Sequence, residues 1–219
     1  HYYINIFFIY NVMSLKLYDN KNHIEVGIDE VGRGSLIGRV YAASVIMPHD
    51  YNDEIFLQIK DSKKLNYNKR EHLYNYIKDV AIDYGIGYIE SDKIDEINIY
   101  NASIEAMHLS LDKLSVDIDN ILVDGKSFRP YINQEDEFIS HKCIINGDNL
   151  YLSIAAASIL AKVERDRYIL SLVESNENLS YYDIKNNKGY GTKNHLEAIK
   201  RYGITKFHRK SFGICKNYK

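Results

Sequence analysis

Residues 23–47 read HIEVGIDEVGRGSLIGRVYAASVIM. Positions 23–29 alternate and then run apolar, and 39–47 are apolar almost throughout. This pattern predicts two strands, close enough to pair as a hairpin through the glycine-rich turn between them. Asp29 and Glu30 close the first strand. Neighbouring residues of a regular strand point to opposite faces. The two acids are therefore expected to share a site only where the chain leaves extended geometry, which Gly32 and Gly34 permit.

Outward from that hairpin, Asn66 is placed to cap a helix running to about Val80, with Leu73 and Ile77 on its apolar side. A third strand is expected over 81–90. Ile104, Met107, His108, Leu111 and Leu114 recur at three-and-four spacing and predict a helix over 101–114. Two short apolar runs, 120–125 and 141–147, each end in a turn. The alanine-rich stretch 151–173 is the clearest helix, and its small residues allow close packing. A glycine-rich loop, NNKGYGT at 186–192, leads to a basic helical segment from about Asn194. The order β-β-α-β-α-β-β-α-α implies an α/β domain, a mixed sheet covered by helices.

The chain has 219 residues, two prolines and 12 glycines, which suits one sizeable domain without long linkers. Cys143 and Cys215 form neither a disulfide framework nor a zinc spacing and read as two thiols in a reducing compartment. The opening HYYINIFFIYNV, ahead of Met13, is too short and too tyrosine-rich to span a bilayer and has no basic stretch before it. It reads as an upstream extension or an artefact, with Met13 as the start of the chain proper.

The formal net charge of −2 does not announce a nucleic-acid binder, but its distribution is uneven. From Lys185 to the end there are ten Lys or Arg against one acid, Glu197, and a second basic cluster lies at 60–70. Such patches attract phosphate whatever the overall sum.

Asp29, Glu30, Asp124 and Asp148 all fall at chain reversals beside strands, where separate segments can converge on one edge of a sheet. Taken alone, Asp-Gly at 124–125 and Gly-Asp at 147–148 are ordinary turn dipeptides. Four carboxylates together repel one another unless cations intervene. All-oxygen ligation suits Mg²⁺ or Mn²⁺, and a pair of such ions activates water and stabilises a departing oxygen in phosphodiester hydrolysis. Setting those four acids aside turns the formal balance from −2 to +2.

GIDEVGRGSLIGRVYAASVI (27–46), DSKKL (61–65), LVDG (122–125), NGD (146–148), SIAAASILAKVERDR (153–167), NKGYGTKNH (187–195) and HRKSF (208–212) occur in the order seen in ribonuclease HII, the bacterial-type type 2 ribonuclease H. The resemblance covers about residues 23 to 215. It implies a ribonuclease-H-like fold with a mixed five-stranded sheet flanked by helices and a small C-terminal helical segment. It divides the chain into an extension (1–22), a catalytic domain (23–180) and a basic segment completing the substrate groove (181–219).

By the same resemblance the expected activity is two-metal hydrolysis of the RNA strand of RNA/DNA hybrids. Incision 5′ of ribonucleotides embedded in duplex DNA, leaving 5′-phosphate and 3′-hydroxyl ends, is expected with it. This points to ribonucleotide excision repair and DNA replication. Asp29, Glu30, Asp124 and Asp148 match the family's metal-site acids. Gly32, Arg33 and Gly34 match the loop that meets the ribose and its 2′-hydroxyl. Tyr190 matches the tyrosine packed on the following sugar, and Lys63 resembles a phosphate contact.

Where the family often has proline, Ser35 and Arg39 stand here. Where it often has lysine, Asn146 stands, and Asn187-Lys188 replaces its usual His-Lys. These departures bear on loop rigidity and binding, not on the acids. Ribonuclease HIII is disfavoured by the Gly-Arg-Gly loop and by the short segment before His23. Two other readings are a DNA-only nuclease or strand-transferase of the same fold, and a non-catalytic hybrid binder. The first leaves Gly-Arg-Gly and Tyr190 without a task, and the second leaves the four acids without one. The expected protein is a cytoplasmic monomer with no membrane segment and no obvious clamp-binding tail. Lys162 and Asp166, four apart, are expected to pair on a helix surface. His195 and His208 read as solvated or core histidines.

Overall fold

The computed structural model describes residues 15–50 and 53–218. The expectation about the segment before Met13 lies outside the described residues. The elements are β1 (Glu25–Val31), β2 (Val40–Ile46), α1 (Tyr67–Val80), β3 (Asp83–Ile89), α2 (Ser91–Leu111), β4 (Asn120–Asp124), β5 (Tyr131–Ile132), β6 (Phe138–Ile144), α3 (Leu152–Glu174), α4 (Ile184–Asn187) and α5 (Lys193–Tyr202), joined by 3-10 turns. They form an α/β fold around one sheet of order β3-β2-β1-β4-β6-β5.

β1, β2 and β3 form an antiparallel meander. β1 pairs parallel with β4, and β4 parallel with β6. Among the described residues the sheet has six strands where five were expected. The addition, β5, is a two-residue edge strand antiparallel to β6, too short to show a period in sequence.

The alternation within β1 decides what lies on each side. Val26 and Ile28 pack with Ala102, Ala106, Met107 and Leu111 of α2. On the opposite face, Ala43 and Val45 of β2 pack with Leu73 and Ile77 of α1 and with the alanines of α3, and Val31 joins them. A third cluster unites Leu36, Ile37 and Ile169 with Tyr182, Ile184, Ile199 and Cys215, so residues 181–218 close onto the turn between β1 and β2. Both cysteines are free.

Local chemistry accounts for the boundaries. The Asn66 side chain accepts from the amide of Lys69 at 2.9 Å and starts α1 as expected. α2 begins about ten residues before the predicted start. Asn98, at φ +65° and ψ +162°, breaks it, and only the half after this kink carries the clear apolar period. The predicted break in β1 is absent: the strand runs through Asp29 and Glu30, which pair with Ala43 and Ala42, and turns only after Val31. Residues 15–22 are not a detached extension. Leu15 and Leu17 pack on the α1–α3 core, and Lys16 bridges to Tyr151.

The sheet and α3 meet closely at Gly27. A Cβ there would overlap the backbone of Ser153 and Ile154, atoms that move only if α3 moves. Gly27→Ala is therefore expected to destabilise the fold by about 1–3 kcal/mol, the usual cost of overpacking. A denaturant melt would show this as a lower midpoint with an unchanged slope.

Candidate active site

Parallel pairing places the C-terminal ends of β1 and β4 on the same edge of the sheet. Gly27 faces Leu122 and Ile28 faces Val123, so one residue further Asp29 and Asp124 come level. Asp148 arrives from a third direction. After β6 the chain turns through Asn146, at φ +55°, and a 3-10 turn over Gly147–Asn149 that leads into α3. The amide of Gly147 donates to Asp124 Oδ1 at 2.7 Å and ties this turn to the end of β4. Asn146 replaces the lysine common in the family at a left-handed position, which asparagine tolerates better than most residues.

Glu30 lies on the other face of β1. Because the strand stays extended, its carboxylate approaches from the α2 side, at 3.0 Å from Arg33 Nη1. It borders a groove of about 390 Å³ that also touches Asp124, Ser103, Ser127 and Lys126. Asp29 and Glu30 thus reach the same strand end from opposite faces. Asp124, level with both, feels Glu30's charge and the hydrogen bond of Asp29.

Burial and proximity raise Asp29, Asp124 and Asp148 together. Asp29 is held well above the usual carboxylate range, first by burial and then by Glu30, Asp124 and Asp148. Burial is also the main cause at Asp124, where Glu30 adds to the rise and the Gly147 amide and Lys63 oppose it. At Asp148 burial is followed by repulsion from Asp61 and Asp124.

Among the described residues no three His, Cys, Asp or Glu side chains are arranged to hold an ion as they stand. Each carboxylate has a protein partner instead: Asp29 takes the Glu30 amide, Glu30 takes Arg33, Asp124 takes Gly147, and Asp148 takes Asn149. The donor set nevertheless fits hard divalent cations. It is all oxygen, it is anionic, and its mutual repulsion is a cost that a cation offsets.

Lys63 stands in the 3-10 turn Ser62–Lys64, its amide bonded to Asp61 Oδ1 at 2.9 Å. Its ammonium lies 4.0 Å from Asp148 Oδ2 and is otherwise exposed. Burial pulls its pKa down, but Asp29, Asp61, Asp148 and Asp124 outweigh that and raise it. Arg70 Nη1 secures the turn through the carbonyls of Ser62 and Leu65, at 2.7 and 2.8 Å.

The Gly32-Arg33-Gly34 turn is fixed from beneath. Arg209 is fully buried. Its Nη1 donates to the carbonyls of Gly32, Arg33 and Ser35 at 2.8, 3.1 and 2.8 Å, and its Nε to Gly38 at 2.8 Å. Arg165, also fully buried, donates to the carbonyls of Arg39 and Lys188 at 3.3 and 3.1 Å. Gly32 has φ +95°, and a Cβ there would overlap the Arg165 side chain. With the carbonyls drawn inward, the amides of Arg33 and Gly34 carry no hydrogen bond among the described residues.

Where the family has proline, the buried Ser35 hydroxyl donates to the Ile37 carbonyl at 2.9 Å. Arg39 stacks between Tyr88 and Tyr168, with Cζ 4.0 and 4.4 Å from the ring centres. These contacts stiffen the loop by another route. Tyr190 sits beside it. Ser35 bridges to Tyr190, the Leu36 amide donates to the Gly189 carbonyl at 2.8 Å, and Arg165 lies under the Tyr190 ring at 5.3 Å.

Sequence places Arg165 on a helix with Lys162 and Asp166 in a structural role, which its burial fits, but misses the inward turn of Arg209. Arg209 was counted in a phosphate-attracting patch, yet it is buried and turned inward. The only signal was its place in HRKSF. Lys162 and Asp166 do pair, at 2.7 Å, but largely buried rather than on a surface.

Residues 26–215 match the protein-family model described as Ribonuclease HII. The chain is 48% identical over 200 residues to ribonuclease HII of Christiangramia forsetii, covering 91% of this chain and 95% of that one. It is 45% identical over 197 residues to ribonuclease HII of Bacteroides thetaiotaomicron, covering 90% and 93%. The crystal structure of ribonuclease H2 from Pyrococcus horikoshii superposes with a TM-score of 0.70 at 25% identity, covering 88% of this chain and 95% of that one.

Two outcomes follow from the electrostatics and from the loop's anchorage. Asp29 is penalised when ionised in the folded protein, so the penalty is present at neutral pH and vanishes as pH falls below the unfolded value near 3.8. Without metal, Asp29→Asn is expected to raise Tm at pH 7 by about 2–4 °C, the shift that about 1 kcal/mol produces in a chain of this size. Calorimetry should find that gain lost near pH 4. Arg209→Lys leaves buried carbonyls unpaired and is expected to cost about 3 kcal/mol, or a Tm lower by about 6–12 °C.

Proposed function

The chain belongs to the ribonuclease HII family, nucleases that hydrolyse the RNA strand of RNA/DNA hybrids, and from that premise we propose that Asp29, Glu30, Asp124 and Asp148 form a two-metal hydrolytic site. We propose further that the site incises duplex DNA on the 5′ side of an embedded ribonucleotide, leaving a 3′-hydroxyl and a 5′-phosphate. The observation that carries this reading is the convergence of buried Asp29 and Asp148 and half-buried Asp124 around one sheet edge, each raised by burial and by its neighbours. A protein keeps mutually repelling buried carboxylates where a bound cation gives them a task.

The four acids would hold Mg²⁺ or Mn²⁺ through an all-oxygen, anionic donor set. When bound, the cations would lower the pKa of the attacking water and offset charge on the departing oxygen. The chain's own residues do the rest. Lys63, exposed above Asp148, offers an ammonium to a backbone phosphate. Gly32, Arg33 and Gly34 present the free amides of Arg33 and Gly34 to the ribose, whose 2′-hydroxyl separates RNA from DNA. Arg33 is half-exposed and loosely held by Glu30, which leaves it able to turn to a phosphate when cations compete for that carboxylate. Tyr190 stands beside Gly34, where its ring can pack on the next sugar and test for the RNA–DNA junction. Such a site serves the removal of single ribonucleotides after replication.

Matched duplexes carrying zero, one and four ribonucleotides, each with Mg²⁺ and with Mn²⁺, test the reading. Cutting is expected 5′ of the ribonucleotide and absent from all-DNA duplex. Equal cutting of all-DNA duplex would defeat the sugar-sensing role. Asp124→Asn is expected to lose about 10²–10³-fold in turnover, the size of loss seen when charge stabilisation of a transition state is removed. It should still bind the hybrid, and near-normal turnover would move the site elsewhere.

A further inference from the structure

His195 and His208 are both buried, and nothing in the hydrolytic reading uses them. His208 Nδ1 lies 2.9 Å from the amide of Thr205 and 2.9 Å from its hydroxyl, which can donate as well as accept, and His208 Nε2 lies 3.1 Å from His195 Nε2. His195 Nδ1 lies 3.0 Å from the Tyr190 carbonyl. Donor and acceptor balance settles the protons. A backbone N–H only donates, so His208 Nδ1 accepts and the His208 proton sits on Nε2. That proton faces His195 Nε2, which must accept. His195 therefore carries its proton on Nδ1 and donates it to Tyr190. The chain of bonds runs one way, from the Thr205 amide through two neutral rings to the Tyr190 carbonyl.

An extra proton on either ring would set two N–H groups against each other. The surroundings also oppose it. Tyr182 packs its ring on both histidines, at 5.1 and 6.1 Å, with its hydroxyl turned to the Gly203 carbonyl. Asp183 is the carboxylate whose charge His195 feels, and the neighbouring Arg209 is directed into the Gly32–Gly38 turn. Burial lowers both histidines. It is the main cause at His208, reinforced by His195, and brings His208 to about 4. The unfolded state thus takes up protons first, and the pair's contribution to stability is lost as pH falls from about 6.5 towards 4.

The backbones at the two ends of this chain of bonds, His208 and Tyr190, each pair with the substrate-facing turn. Ile37 bridges to His208, and Ser35 bridges to Tyr190. We propose that His195 and His208 are positioning residues, a neutral two-histidine relay that fixes the Tyr190 backbone and so sets the Tyr190 ring beside Gly34. This rests on the reading of Tyr190 as the residue that tests the sugar after the ribonucleotide. A relay of this kind gives Tyr190 a fixed place without contact with substrate.

Two measurements test it. Long-range ¹H–¹⁵N NMR of the wild-type protein reads each ring, from neutral pH down to about 5. Neutral His195 protonated on Nδ1 and neutral His208 protonated on Nε2 are expected. A cationic ring or the opposite tautomer at pH 7 overturns the relay. Cutting of a single-ribonucleotide duplex relative to a continuous hybrid is then compared in His208→Phe, Tyr190→Ala and the double variant. His195→Gln replaces His208→Phe should the latter not fold. His208→Phe is expected to lower the ratio about fivefold, the scale of one lost neutral hydrogen bond. It should add nothing in the Tyr190→Ala background. Equal loss on both substrates in step with Tm, or additivity in the double variant, reduces the pair to packing and overturns the proposal. A changed ratio in Tyr190→Ala with none in His208→Phe overturns the proposal alone. An unchanged ratio in Tyr190→Ala overturns the reading of Tyr190 and the proposal with it.

Discussion

The parallel pairing of β1 with β4 is the constraint on which the site depends. It brings the C-terminal ends of two central strands to one sheet edge, with Asp29 and Asp124 level. Because β1 stays extended to Val31, Glu30 approaches from the α2 face while Asp29 stays on the α3 face. The Gly147 amide then draws the Asp148 turn onto Asp124. Four carboxylates from three separated segments thus meet by sheet register, with no need for a distorted strand. The cost is electrostatic: burial and repulsion raise three of them above their ordinary range. The same repulsion that would favour a bound cation disfavours the fold without one.

The loop beside the acids obeys a second constraint. A glycine-rich turn has many conformations, and a turn proposed to sense a hydroxyl requires one of them. Arg209 and Arg165 supply that selection by drawing the carbonyls of residues 32, 33, 35, 38 and 39 inward. Guanidinium suits this role because its planar fork donates to several acceptors at once. Burying two cations with no ion-pair partner among the described residues is costly. Burial lowers both, and Arg209 is pushed down to about 9, with Arg165 adding to the effect. Such an expense makes sense where the backbone it holds is part of the working surface. The two histidines extend the same logic to Tyr190, with neutral rings in place of cations.

Much of the fold was legible in the amino-acid pattern. The apolar runs around Gly32-Arg33-Gly34, the alanine-rich stretch of α3 and the Asn66 cap each express a local preference strong enough to survive in the folded chain. Three features were not legible, for identifiable reasons. β5 is two residues long and has no period. The first half of α2 lies before the Asn98 kink, where the apolar spacing is broken. Leu15 and Leu17 look like part of an extension until α1 and α3 are there to cover them.

At the site the division is sharper. Sequence by itself singled out the residues proposed for the chemistry: the four acids, the Gly-Arg-Gly turn, Lys63 and Tyr190 stand in motifs whose identity and order are readable one residue at a time. It also determined that the chain belongs to its family. Only the tertiary structure decided how Asp29 and Glu30 reach one strand end from opposite faces, because that depends on where β1 leaves the sheet. Only it turned Arg209 from a surface charge into a buried anchor, and His195 and His208 into a directed pair. Those roles arise from hydrogen bonds between segments far apart in the chain, and a linear pattern records side-chain type and spacing but not which distant carbonyl a guanidinium or an imidazole will meet.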